Sequence, residues 1–166
     1  TDIAVFRPSN GVWYLYLSES QVFVTYNWGQ NGDLPVPGDR DADGKADLVI
    51  YRESNNTWYT RFSNGTFDQF QFGEAGDKPM RGDFDGDGKS DIAVFRPSNN
   101  NWYIIKSGAG FFIQTWGEAG DIPTTGDFDG DGATDQAVFR PSTGQWYLSR
   151  TTQGFASQSW GQAGDV

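Results

Sequence analysis

Residues 82–103 read "GDFDGDGKSDIAVFRPSNNNWY", from Gly82 to Tyr103. Four aspartates, Asp83, Asp85, Asp87 and Asp91, fall within nine residues, and the chain then turns apolar and aromatic. The same sentence is written again as "GDFDGDGATDQAVFRPSTGQWY" from Gly126, and in a rougher hand as "GDRDADGKADLVIYRESNNTWY" from Gly38. Like charges packed this tightly repel one another unless something neutralises them. Whatever does so must do it three times.

The register of the repetition is set by the last aspartate of each loop. Asp2, Asp47, Asp91 and Asp135 lie 45, 44 and 44 residues apart. Phe6, Tyr51, Phe95 and Phe139 each stand seven residues before Trp13, Trp58, Trp102 and Trp146. Trp28, Phe72, Trp116 and Trp160 follow, each with Asp33, Asp77, Asp121 or Asp165 five residues on. A period of this length marks a repeat architecture and must be read before any single element.

Within one unit the pattern predicts four short strands. Strand A begins at Pro35, and the acidic loop follows it. Strand B is "DLVIYR", strand C is "TWYTRF" and strand D is "FDQFQFG". Short β-branched and aromatic runs between Gly/Asn/Ser turns form a hairpin meander. No segment sustains a 3.6-residue apolar period, so no helix is expected. Strand C carries adjacent Trp and Tyr, which point to opposite faces of a sheet, so both faces require burial. A four-stranded sheet buried on both faces and repeated every ~40–50 residues is a β-propeller blade. A β-sandwich would instead alternate apolar and polar residues along each strand.

The expected fold is therefore all-β: a β-propeller array of four units of about 44 residues, at 1–34, 35–78, 79–122 and 123–166. Three blades are complete, and one is split across the termini with strands B, C and D in residues 1–34. By register Val166 matches Leu34 and Thr1 matches Ala46, which leaves 11 positions of a perfect circle outside the sequence. The open edge "IAVF" of the split blade is a template for another strand. It could be closed in cis, or by self-association in trans.

Composition narrows the chemistry. The 166 residues include no cysteine and no histidine, which removes thiolate sites and the commonest transition-metal ligand. A net charge of −10 disfavours nucleic acid and anionic membranes and favours cations. No run approaches the ~18 apolar residues of a transmembrane helix, so no membrane insertion is expected.

Aspartates at loop positions 1, 3, 5 and 9, with the carbonyl at position 7, form an all-oxygen ligand set of the kind Ca²⁺ prefers over Mg²⁺. The three sets are Asp39, Asp41, Asp43, Lys45 (carbonyl) and Asp47; Asp83, Asp85, Asp87, Lys89 (carbonyl) and Asp91; and Asp127, Asp129, Asp131, Ala133 (carbonyl) and Asp135. About three Ca²⁺ ions per chain are expected. An EF-hand needs a bidentate Glu at position 12 and flanking helices. Position 12 here is Ile50, Val94 or Val138, each inside a strand.

"DFDGDGKSDIAVF" together with "WGEAGDIP" resembles the FG-GAP/VCBS repeats of integrin α-chain propellers and of many bacterial surface proteins. The resemblance implies a propeller with Ca²⁺ in the A–B hairpin loops. Two features depart from it: family rings usually have about seven blades, and the first loop carries Arg40 and Ala42 where the others have Phe and Gly.

The repeats also act as an internal control, since a residue found once per blade serves the blade. Only Asp68, Glu19 and Glu53 are acids outside the pattern, and their spacing suggests no paired-carboxylate site. The recurring Arg7, Arg52, Arg96 and Arg140 read as structural partners of a carboxylate or carbonyl between blades, with anion or glycan contact as the alternative, and all seven tryptophans as interblade core. The expectation from sequence is a non-enzymatic, calcium-binding module for adhesion or recognition of an extracellular protein or glycan, placed outside the cell or on its surface. Its rivals are a lectin-type propeller using aromatics outside the pattern, an accessory domain of a secreted hydrolase, and a self-assembling structural element.

Overall fold

The computed structural model describes residues 2–165. Among them every regular element is a β-strand. Four antiparallel meanders follow the repeat. The first has three strands, β1 (Ile3–Arg7), β2 (Val12–Leu17) and β3 (Val22–Asn27). The second runs β4 (Leu34–Pro35), β5 (Leu48–Arg52), β6 (Thr57–Arg61) and β7 (Phe67–Gln71). The third runs β8 (Lys78–Met80), β9 (Ile92–Arg96), β10 (Asn101–Lys106) and β11 (Gly110–Thr115). The fourth runs β12 (Ile122–Gly126), β13 (Asp135–Arg140), β14 (Gln145–Arg150) and β15 (Gly154–Ser159). These are propeller blades in the expected order A-B-C-D, and among the described residues no A strand pairs with β1. The register match of Thr1 and Val166 lies outside the described residues.

The blades fall into two compact units, each with its own core. One comprises Thr1–Pro37 with Lys45–Ala75, and the other Gly38–Gly44 with Gly76–Val166. In the first, Trp13, Leu48 and Ile50 form a buried cluster against Phe6, Leu15, Trp28 and Tyr59. In the second, Met80, Phe84, Phe95, Trp102, Ile104 and Val138 are buried together, with Trp116 and Tyr147 against them.

The recurring residues explain why each meander closes on itself. Cross-strand Phe/Tyr–Trp pairs join strands B and C, as in Phe6–Trp13, Tyr51–Trp58, Phe95–Trp102 and Phe139–Trp146, with centroids 5.0–5.3 Å apart. The strand C indole then donates to a carbonyl just past strand D: Trp13 to Trp28, Trp58 to Phe72, Trp102 to Trp116, Trp146 to Trp160. The second tryptophan reaches the next blade. Trp28 Nε1 donates to the Tyr59 carbonyl, and Trp116 Nε1 to that of Tyr147. Trp160 is different. It is 78% exposed, so the expectation that all seven tryptophans are interblade core fails there.

The arginines at the end of strand B are structural, as expected. Arg52, Arg96 and Arg140 each grip an aspartate 19 residues earlier through Nε and Nη2 at 2.8–2.9 Å, while their guanidinium planes lie over Tyr59, Tyr103 and Tyr147. Asp33, Asp77 and Asp121 are buried, and the bidentate geometry offsets their desolvation. These bonds hold Arg52 and Arg140 firmly protonated. Arg7 donates instead to the Tyr14 hydroxyl and covers that ring.

Candidate metal centres

Each acidic loop is wound around its first aspartate. Asp83 Oδ1 accepts from the amides of Gly86 and Asp87, and Oδ2 from Gly88. Asp127 does the same with Gly130, Asp131 and Gly132, and Asp39 with Ala42, Asp43 and Gly44. This winding places the fourth residue in the left-handed region: Gly86 at φ 73°, Gly130 at 79°, and Ala42 at 63°. Glycine takes that conformation freely, and alanine at a cost of roughly 1 kcal/mol.

The second and third loops are closed by the turn between strands C and D. Asp91 is buried and accepts from the amides of Ser107 and Phe84 at 2.7 Å each. Asp135 accepts from Thr151 and Phe128 in the same way. Asp85 Oδ2 accepts from Gly108, and Asp129 Oδ2 from Thr152 and Gln153. The other oxygens, Asp85 Oδ1 and Asp129 Oδ1, are fully buried with no hydrogen-bond partner. An anionic oxygen in that position is costly unless a cation faces it.

Burial pushes the Asp91 carboxyl up to about 6, with the nearby charges of Asp85 and Asp83 adding to the rise against two backbone hydrogen bonds. Burial also raises Asp129, but bonds from Gln153 and Thr152 outweigh it and the net direction is down. The Ser107 hydroxyl and the Lys89 amide lower Asp87.

The structure thus sorts the expected ligands. It brings together Asp83, Asp85 and Asp91, then Asp127, Asp129 and Asp135, each trio presenting oxygens within 4.8 Å of one another. In the first loop the trio is Asp39, Asp41 and Asp43. Asp47 lies in the other unit, where it accepts from the Ser63 amide. Asp87 and Asp131 face the hydroxyls of Ser107 and Thr151, which a nonapeptide pattern alone does not reveal. Lys45, Lys89 and Ala133 occupy the seventh positions of their loops. Glu19, Glu53 and Asp68 are exposed and join no such cluster. These acidic clusters could hold metal ions.

The three loops also touch in sequence. The Asp39 carbonyl accepts from the Ser90 amide, and the Asp83 carbonyl from the Thr134 amide. Gly38 and Gly82 permit the approach, since a Cβ on either would collide with Ser90 or Thr134.

The loop and the strand after it now have a fold around them, and known proteins match both. Residues 83–138 match the FG-GAP-like repeat family. The FG-GAP-like segment therefore covers the second loop, its blade and the third loop, where the two fuller carboxylate trios stand. No curated protein matches the chain in sequence. Solved structures match its fold. Virginiamycin B lyase from Staphylococcus aureus aligns at 10% identity and a TM-score of 0.61, over 95% of this chain and 52% of its own. A streptogramin B lyase aligns at 14% identity and 0.61, over 95% and 51%. A protein of unknown function from Bacteroides caccae aligns at 10% and 0.58, over 94% and 57%. The chain spans about half the length of these structures.

These neighbours correct the expectation of a non-enzymatic module. Proteins named as lyases share this fold, so assigning recurring residues to the scaffold does not exclude catalysis. A residue that recurs once per blade can serve both blade and chemistry.

Proposed function

We propose that the FG-GAP-like blades bind Ca²⁺ in their acidic loops and, so stiffened, present a recognition surface to an extracellular protein or glycan. The observation that supports the metal most directly is the pair of buried, unpartnered oxygens, Asp85 Oδ1 and Asp129 Oδ1. Asp83, Asp85 and Asp91 would hold one ion, Asp127, Asp129 and Asp135 a second, and Asp39, Asp41 and Asp43 a third. The carbonyls of Lys89 and Ala133 would add further oxygens to the first two. The ion's contribution is charge: it offsets carboxylate repulsion that the fold otherwise carries unrelieved. An all-oxygen set with several carboxylates favours Ca²⁺ over the smaller, more strongly hydrated Mg²⁺. Extracellular placement follows from the same reasoning, because loops of this kind fill at the millimolar Ca²⁺ found outside cells.

A matching structure of virginiamycin B lyase is a catalytically inactive histidine-to-alanine form holding quinupristin. This chain has no histidine, so histidine-based lyase chemistry forms no part of the proposal.

Titration calorimetry should count about three Ca²⁺ per chain. At about 2 mM ion and a Kd of ~0.1 mM each site adds roughly 1.8 kcal/mol, and three add roughly 5. Chelation should therefore lower the melting temperature, and Ca²⁺ should restore it far better than Mg²⁺. A melting curve unmoved by excess EGTA would falsify the metal assignment.

A further inference from the structure

Strand B begins with an aliphatic residue in three repeats, Ile3, Leu48 and Ile92. The fourth has Gln136. Its side chain is 4% exposed, and its Oε1 is buried with no hydrogen-bond partner. A buried amide oxygen left unpaired destabilises the fold, so a polar residue at this position calls for a reason beyond packing. Gln136 lines a cavity of about 270 Å³ between the third and fourth blades.

The rest of the lining narrows what would enter. Phe84, Ile104 and the ring of Phe112 supply apolar surface. Lys106 and Arg150 supply two cations, and among the described residues no carboxylate lines the cavity, in a chain of net charge −10. Arg150 is committed to Gln153 and Gly154, whereas among the described residues the Lys106 ammonium lies only against the Phe112 ring, 4.9 Å from its centroid. Gln114 Nε2 donates to Ser149 Oγ at 2.8 Å across the cavity. The neighbouring Thr151 hydroxyl is turned to Asp131 and Asp135.

We infer that this cavity is a binding site for an acidic sugar ring. A ligand hydroxyl donates to Gln136 Oε1, the carboxylate meets Lys106, and the C–H face of the ring lies on Phe112. The volume, just under the ~300 Å³ where pockets for larger ligands begin, suits one ring. A buried acceptor, a free cation and an aromatic plane together fit a polyhydroxylated anion better than an apolar ligand, which would leave the amide unpaired. This site deepens the recognition reading and rests on it, but it does not depend on how many Ca²⁺ ions the loops hold.

The repeat supplies its own control variant. Gln136→Leu installs the residue that the second blade already buries at this position, so the protein should fold with a melting temperature no lower than wild type. Calorimetry or two-dimensional NMR of the full chain in saturating Ca²⁺, with glucuronate as probe, should show saturable binding on the order of 1 mM. Gln136→Leu should weaken it about tenfold or more. Lys106→Leu should weaken glucuronate to about the affinity of glucose and leave glucose binding unchanged. The site is refuted if glucuronate shows no saturable binding, if Gln136→Leu binds like wild type, or if glucose binds as tightly as glucuronate. A negative result in protein that still takes up three Ca²⁺ overturns this site alone, whereas loss of the Ca²⁺ count overturns the metal proposal.

Discussion

The first acidic loop and the two that follow it share a spelling and differ in construction. In the second and third loops the ninth-position aspartate joins the first and third, and the third, Asp85 or Asp129, has a buried oxygen with no hydrogen-bond partner. The turn between strands C and D presses on both, through Ser107 and Gly108 or through Thr151, Thr152 and Gln153. In the first loop the trio is drawn from positions 1, 3 and 5, and Ala42 holds a left-handed conformation that its counterparts give to glycine. Arg40 replaces the phenylalanine of the other loops and donates to the Ser90 carbonyl. Four aspartates at fixed spacing therefore guarantee a negative loop and not a given coordination shell. Asp47 is buried as well and accepts from the Ser63 amide, so burial and a hairpin contact do not by themselves bring the ninth aspartate into the trio.

The sharpest way to break this contrast is to remove one ligand from each kind of loop. Asp85→Ala should abolish one Ca²⁺ site and cost about 2 kcal/mol in millimolar Ca²⁺, the contribution of one filled site. Asp41→Ala should cost less than half as much, because among the described residues Asp41 has no buried oxygen without a partner, as Asp85 has. Calorimetric stoichiometry and melting of the two variants side by side decide it. Equal losses would show that the loops are energetically alike despite their different construction.

A second test uses pH. Asp91 has its folded-state pKa raised to about 6, above the 3.8 of an unperturbed carboxyl. Protonation therefore favours the folded state, and EGTA-treated protein should gain about 1 kcal/mol as the pH falls from 7 to 5. Protons and Ca²⁺ compete for the same carboxylate, so the increment due to Ca²⁺ should shrink over that interval. Asp91→Asn should flatten the rise in the metal-free protein. If the variant keeps the full slope, the general reduction of negative charge is responsible instead.

The smallest effect concerns Ala42. Replacing it with glycine relieves the strained conformation but enlarges the freedom of the unfolded chain, leaving a net gain of about 0.5 kcal/mol. Denaturant melts should register that gain for Ala42→Gly. A loss would mean that the alanine methyl packs usefully in the loop.

Much of this was legible in the sequence because periodicity repeats each statement four times. The strand order, the Trp–Phe pairs and the bidentate arginines all follow from residues at fixed offsets. Convergence of the ligands was not legible. Asp87 and Asp131 turn toward Ser107 and Thr151, each 20 residues away, and that choice is made by hairpin packing. Trp160 keeps its repeat position and lies exposed, since a pattern records which neighbour a residue expects and not whether it meets one. Gln136 departs from the aliphatic position of the other repeats, and its burial, which gives the departure meaning, required the fold.

The hydrogen bonds from Ser90 to the Asp39 carbonyl and from Thr134 to the Asp83 carbonyl join each loop to the next. A loop that orders around an ion fixes one side of such a rung, so its neighbour orders at a smaller entropic cost. Three sites tied in this way form a short chain with nearest-neighbour coupling, and uptake along it would be cooperative. The middle loop shares a rung with each of the others. Its loss would therefore leave the outer two to fill independently.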